Sequence, residues 1–303
     1  MRYYNWNMKI FICTILSLFF LLEASAQKPL PQSTIDSILA SGGEKSSCGT
    51  DQLLTNLRKD PQFKLREDAM NKEIQAAYGT LDDTIITLPV VVHVINNNPF
   101  AITDAQVMAG IKLLNDAFSK SGVYAASLGA DTKIRFCLAR KAPDGGITNG
   151  ITRTTSFHGH SLNSGMEDSK LKGLIQWDPA RYINIWLINS IETEIYANFS
   201  CGSWTRMRMG GYATMPPGGG ASDGIVVTGF GSLLAHEMGH YLGLYHTFQG
   251  GCTNNDCTTD GDRVCDTPPD NSMWASSCAS PENSCSTDTL SSYSNGFFPV
   301  DVP

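Results

Sequence analysis

Basic residues are scarce in this 303-residue chain: 22 Lys and Arg stand against 29 Asp and Glu, and no long basic run occurs. A net charge of -7 excludes a cationic face of the kind that neutralises nucleic-acid phosphates. Internal repeats are missing, and so are the CxxC pairs of a structural zinc ribbon. Bilayer-spanning runs are absent as well, since the longest apolar stretch, Ile10 to Leu22, is about 13 residues against the roughly 20 a helix needs. What remains, 42% hydrophobic and 17% charged, is the composition of a globular protein with a real core.

The short apolar stretch has a different use. Arg2 and Lys9 precede it and Ala24-Ser25-Ala26 follows it, the layout of a secretory signal over residues 1–26 with cleavage before Gln27. The expected location is therefore extracellular, with no membrane association after cleavage. Export also accounts for the cysteines, because thiols pair and persist in an oxidising compartment. Cys13 leaves with the signal, and Cys252, Cys257, Cys265, Cys278 and Cys285 crowd into one Asp/Gly/Thr/Ser-rich stretch that needs cross-links to pack. Five cannot all pair among themselves, so one is left for a partner beyond Pro303 or for Cys137 or Cys201; the preferred pairing joins Cys137 with Cys201.

Residues 27–83 are polar, with a helix expected near Asp51 to Tyr78 from the spacing of Leu53, Leu54, Leu57, Phe63, Met70 and Ile74. The main domain is expected over 84–303. Ile85 to Asn96 is rich in β-branched residues and predicts a central strand, followed by an amphipathic helix from Thr103 to about Ser121. Further strands are expected at Thr132 to Ala139, Tyr182 to Ile191, Tyr212 to Met215 and Gly224 to Thr228. The order predicts an α/β fold with helices on a twisted, mostly parallel sheet.

A second helix contains His236-Glu237-Met238-Gly239-His240, then Gly243 and His246, which reads HExxHxxGxxH. One helical turn separates His236 from His240, so both rings project from one face and can bind one metal ion. Catalytic zinc takes three protein ligands and leaves one position to water, so a third ligand must come from outside the regular helix. Gly243 can take a positive φ and turn the chain so that His246 arrives beneath the metal. Glu237 is placed to deprotonate a zinc-bound water, a general-base role that makes amide hydrolysis the natural reaction. Three of the six histidines fall in this pattern; His93 reads as a packed strand residue, and His158 and His160 as solvated loop residues. Asp256, Asp260, Asp262 and Asp266 crowd the following loop, where carboxylates could hold calcium or simply face solvent. Asn198-Phe199-Ser200 fits a glycosylation acceptor.

With this extended motif the chain resembles the metzincin clan of zinc peptidases. It is similar within that clan to the pappalysin family, through Trp177-Asp178-Pro179, Arg181-Tyr182-Ile183-Asn184-Ile185-Trp186, Gly243 to Cys252 and Asp262-Arg263-Val264-Cys265-Asp266-Thr267-Pro268. The resemblance implies a metzincin-like zincin fold with an antiparallel edge strand and an irregular, disulfide-stapled C-terminal part. It implies zinc on His236, His240 and His246, Glu237 as catalytic residue, and calcium at Asp260, Asp262 and Asp266. It also implies a protein or peptide substrate lying antiparallel along the strand near Tyr212 to Met215. Cys48-Gly49-Thr50-Asp51 resembles the family's propeptide and implies a zymogen in which the Cys48 thiolate fills the open zinc position.

One departure stands against this pattern. The clan's methionine turn, Met-Asp-Tyr in pappalysins, does not occur, and Met273 is the only methionine after the motif. The sequence is therefore expected to stop before that turn. Two alternatives to a secreted endopeptidase stay open: an inactive truncated relative that binds zinc and peptide without cutting, and a disulfide-stapled surface or adhesion module.

Overall fold

The computed structural model describes residues 47–77, 83–126, 129–159, 162–196, 204–253, 255–265, 267–269 and 285. The signal segment, Asn198, His160, Cys201, Asp266, Met273 and Cys278 lie outside the described residues. In chain order the elements are β1 (Ser47–Cys48), α1 (Thr50–Leu57), α2 (Pro61–Ala77), β2 (Ile86–Asn96), α3 (Asp104–Phe118), β3 (Ile134–Leu138), β4 (Ile151–Thr155), β5 (Leu162–Asn163), α4 (Ser164–Lys172), β6 (Ile183–Leu187), β7 (Ile191–Tyr196), β8 (Trp204–Ala213), β9 (Ile225–Val227) and α5 (Ser232–Tyr241).

The strands form one mixed sheet in the order β3-β2-β6-β9-β8-β7-β5, with β4 also on β2 and β1 also on β8. Every pairing is parallel except β7 with β8 and β8 with β9. The spine is β2, whose residues Val90 to Ile95 have no exposed surface. Burial on both faces is what a run of Val and Ile dictates in a parallel sheet covered by helices. Helix α3 starts at a capping box between Thr103 and Gln106. It buries Val107, Ile111, Leu113 and Leu114, and Phe230 fits against Gly110, where any Cβ would lie 2.3 Å from the ring. Helix α5 buries Leu233, Leu234 and Met238 and packs on α3, β8 and β9. Its histidine face is thereby fixed relative to the last residues of β8.

Several elements differ from the sequence expectation, each for a local reason. The single helix expected over Asp51 to Tyr78 is two, because the chain turns at Arg58 to Asp60 and restarts at Pro61, a residue suited to a first helical position. The strand expected over Tyr182 to Ile191 is two, since β6 joins the parallel pairings and β7 turns to run antiparallel to β8. The short strand expected at Tyr212 to Met215 is the end of the ten-residue β8, hidden by Gly210 and Gly211, which disfavour strand on propensity alone. Helix α4, Ser-Gly-Met-Glu-Asp-Ser-Lys-Leu-Lys, carries no apolar stripe and was not expected.

The disulfides found are Cys252–Cys285 and Cys257–Cys265, which staple the stretch after the histidine motif. The expected bridge from Cys137 is corrected: Cys137 is an exposed free thiol. It sits on β3, and Cys201 lies outside the described residues.

The motif residues around Trp177 and Asn184 turn out to build the sheet. Asn184 Oδ1 accepts from the Trp177 amide at 2.8 Å and contacts His93 Nε2 at 2.9 Å, while its Nδ2 donates to the Trp177 carbonyl. His93 Nδ1 lies 2.7 Å from Thr152 Oγ1. The imidazole is thus neutral, with Nε2 donating and Nδ1 accepting, and burial lowers its pKa to about 4. Between the unfolded value near 6.5 and the folded value, the unfolded chain binds the extra proton, so stability falls as pH drops through that window. We expect His93→Gln to remove about 2–3 kcal/mol of the stability lost between pH 7 and 4.5, as read by denaturant midpoints at each pH. An unchanged acid limb would show that His93 does not govern it.

Candidate metal centre

Helix α5 holds His236 and His240 one turn apart, and its end is shaped by Gly243. The Leu244 amide donates to the Gly239 carbonyl at 3.0 Å and the Gly243 amide to the His240 carbonyl at 2.9 Å, with Gly243 at φ 103°. This is a Schellman ending, which requires a left-handed residue at the glycine position. The chain then doubles back, and His246 is seated by stacking on Phe248, ring centroids 4.6 Å apart.

The three Nε2 atoms converge. His240 lies 3.0 Å from His236 and 3.1 Å from His246, and His246 lies 3.3 Å from His236. His240 Nδ1 faces the Leu244 carbonyl at 2.7 Å and His246 Nδ1 faces Asp51 Oδ2 at 3.0 Å. Both partners can only accept, so both rings carry their proton on Nδ1 and point an Nε2 lone pair inward. Lone pairs this close repel unless a cation lies between them. Tetrahedral zinc with arms of about 2.05 Å has ligand–ligand edges of about 3.3 Å, so the donor set fits that ion. Burial lowers the pKa of His240 to about 3 and that of His236 well below the usual histidine range, which keeps both as neutral donors.

Cys48 completes the group. Its sulfur and the three histidine nitrogens all lie within 4.8 Å of one another, the one such cluster of metal-binding side chains among the described residues. Burial, then the neighbouring Glu237 carboxylate, raises the Cys48 pKa. Glu237 is fully buried beside these groups: Oε2 lies 3.7 Å from Cys48 Sγ and accepts from Thr50 Oγ1 at 3.2 Å, while Oε1 has no hydrogen-bond partner. Burial raises the Glu237 pKa to about 8. An orphaned, desolvated carboxylate oxygen at the rim of a donor cluster is poised to receive a proton or a donor.

The sheet edge beside the cluster is covered. Residues 204–209 of β8 pair with β7, but beyond β7 the same edge is taken by β1, with Cys48 opposite Gly211 and the Gly49 amide donating to the Gly211 carbonyl at 2.9 Å. Thr50 Oγ1 accepts from the Ala213 amide at 3.0 Å. The pairing is parallel, opposite to the direction expected of a substrate. Gly211 is required by close approach, since a Cβ there would lie 2.9 Å from both Glu237 Cγ and the Val226 carbonyl oxygen.

Sequence reasoning named Thr50 and Asp51 within Cys48-Gly49-Thr50-Asp51 but gave a role to Cys48 alone; in the structure Asp51 orients His246 and Thr50 contacts Glu237. In the acidic loop Asp260 Oδ2 accepts from the Asn255 and Asp256 amides, Asp256 Oδ1 from Thr258, and Asp262 Oδ1 from the Val264 amide. Asp266, the third residue of the calcium expectation, lies outside the described residues. His158 lies near Glu167 at 3.7 Å, away from the cluster.

Comparison with known proteins agrees with this geometry. Residues 165–297 match the peptidase family M43, described as pregnancy-associated plasma protein-A. An extracellular metalloprotease of Pyricularia oryzae is 29% identical over 219 residues, covering 69% of this chain and 66% of its own length, just under two thirds. One of Colletotrichum graminicola is 27% identical over 259 residues, covering 81% of this chain and 79% of its own. Among solved structures, a mutant of promirolysin from Tannerella forsythia superposes with a TM-score of 0.60 at 26% identity, covering 84% of this chain and 85% of that one. Mature mirolysin in complex with a cleaved peptide gives 0.52 at 27%, covering 73% and 84%. Helix, sheet, stapled C-terminal part and matching relatives together support a likeness to the pappalysin-like metzincins.

Proposed function

We propose that this chain is a secreted zinc-dependent endopeptidase made as a zymogen, with residues 27–83 as propeptide and 84–303 as catalytic domain. The observation that carries the reading is the convergence of three imidazole Nε2 atoms within 3.3 Å, beside the buried Glu237 carboxylate. Bound by His236, His240 and His246, zinc supplies a Lewis acid that polarises a carbonyl and acidifies water. Glu237 takes a proton from the attacking water and returns it to the leaving amine. Backbone groups at Gly211 to Ala213 hold an extended peptide by adding it to the sheet edge.

In the zymogen, β1 occupies that edge in reversed polarity and Cys48 offers its thiolate as fourth ligand. Loss of the segment frees edge, metal position and Glu237 together. Relatives named extracellular metalloproteases support export, and no helix among the described residues is long and apolar enough to cross a membrane. A relative described with a cleaved peptide supports a protein or peptide substrate.

Casein cleavage by the activated chain tests the reading. We expect Glu237→Ala to lower kcat/KM by about 10³-fold, within the range for general acid–base groups, while zinc content by elemental analysis stays unchanged. Undiminished cleavage would sink the role of Glu237. Cys48→Ala is expected to open the fourth zinc position and give the full-length precursor low but measurable activity, since β1 still covers the edge; a zinc-loaded precursor as silent as the parent, with the parent's unchanged zinc ligand shell, would remove the thiolate from the latency scheme. Gly211→Ala presses on Glu237, and a roughly tenfold fall in kcat with little change in KM is the expected signature, equivalent to about 1.4 kcal/mol. A pure KM effect would place the disturbance at the peptide-binding edge instead.

A further inference from the structure

Beyond the zinc cluster, the N-terminal segment is anchored a second time, and the chemistry of that anchor points to substrate selection. Glu67 of α2 is fully buried. It accepts from Arg58 Nε at 2.9 Å and Arg58 Nη2 at 2.6 Å, and from the Tyr245 hydroxyl at 2.8 Å. Arg263 completes the group, its guanidinium carbon 5.1 Å from the centroid of the Tyr245 ring. Arg263 has φ 64°, a left-handed backbone that costs a non-glycine residue some strain, so the loop holds this side chain in place against local preference. A cavity of about 240 Å³ opens here, bordered by Arg58, Tyr245, Gln249, Thr253, Asp260 and Arg263. The Asp260 carboxylate is taken up by the amides of Asn255 and Asp256.

Arg58 and Glu67 both belong to the segment that processing removes; Tyr245 and Arg263 do not. When the segment leaves, the carboxylate and its own counter-charge depart together. Tyr245 then loses its acceptor, and Arg263 remains against the ring. A phenol hydroxyl and a guanidinium side by side can both donate to one anionic oxygen pair, and such charge-assisted bonds are the stronger kind. Tyr245 packs against the apolar cluster of Leu54, Phe63 and Met215; departure of Leu54 and Phe63 uncovers Met215, so the site gains an apolar wall for the stem of a side chain.

Its place relative to the cleaved bond follows from strand polarity. A peptide antiparallel to β8 has its residues before the scissile bond beside Ala213 and Met215, the end where Tyr245 lies. We propose that Tyr245 and Arg263 form a subsite selecting an aspartate or glutamate on the N-terminal side of the scissile bond, with Glu67 as the zymogen's own occupant. The proposal rests on the proteolytic reading above and names its substrate class.

The test uses full-length zinc-loaded protein activated by limited trypsin, carrying Glu237→Ala so that peptides bind without being cut. Fluorescent peptides with Glu or Ala at each position preceding the scissile bond are titrated by anisotropy. We expect Glu at one position to bind roughly tenfold tighter than Ala, and the ratio to fall to near one with Arg263→Gln and to fall partway with Tyr245→Phe. Because the ratio compares two peptides on one sample, a general loss of folded protein cancels. Equal binding of both peptides, or a preference that survives Arg263→Gln, overturns the subsite. In parallel, protein retaining Glu237 is assayed for cleavage of the same peptides. Selective binding without any cleavage would defeat the proteolytic reading and leave the subsite standing.

Discussion

Three inward-facing imidazole nitrogens inside one small volume are the constraint on which the rest of this structure depends. Two of them carry lone pairs held inward by acceptors on the far side of each ring, Leu244 carbonyl and Asp51 carboxylate. Such a cluster is unfavourable by itself and favourable around a cation, which makes the ion part of the folding free energy as well as of the chemistry. The arrangement is imposed from behind. Leu234 and Met238 bury the back of α5 against sheet and α3, and the left-handed Gly243 ends the helix just where His246 must swing under.

The sheet edge and the metal cluster are coupled through a few residues of the N-terminal segment. Within Cys48 to Thr50, a sulfur joins the ligand group, an amide pairs with Gly211 and a hydroxyl bridges Glu237 to Ala213. Asp51, next in the chain, fixes the tautomer of His246. One short stretch therefore covers the fourth place beside the three histidines, the Glu237 carboxyl and the edge of β8 at once. The Arg58–Glu67–Tyr245 contacts extend the same segment across the loop that follows the third histidine.

Much of this was legible in the sequence, and the reasons separate cleanly. The β2 strand and α3 helix were readable because a β-branched run and a capped amphipathic pattern have one good solution each. The histidine cluster was readable because helix periodicity and one glycine determine where three rings go. Helix α4 was not, since its burial of Lys172 depends on Asp168 one turn earlier and on the rings of Trp186 and Tyr212 in the sheet, and leaves no stripe in its own sequence. Nor was the full length of β8, where two glycines hide a strand that is needed for close approach to Glu237. The Trp177 to Trp186 motif resembled a family signature; its physical content is Asn184 tying the Trp177 backbone to His93.

Zinc-edge X-ray absorption on the full-length protein, before and after removal of the N-terminal segment, tests the central claim most directly. The account predicts three nitrogen scatterers at about 2.0–2.1 Å and one sulfur at about 2.3 Å before processing, with the sulfur replaced by oxygen afterwards. A first shell lacking the three nitrogens, or a sulfur that persists in the processed protein, would contradict it.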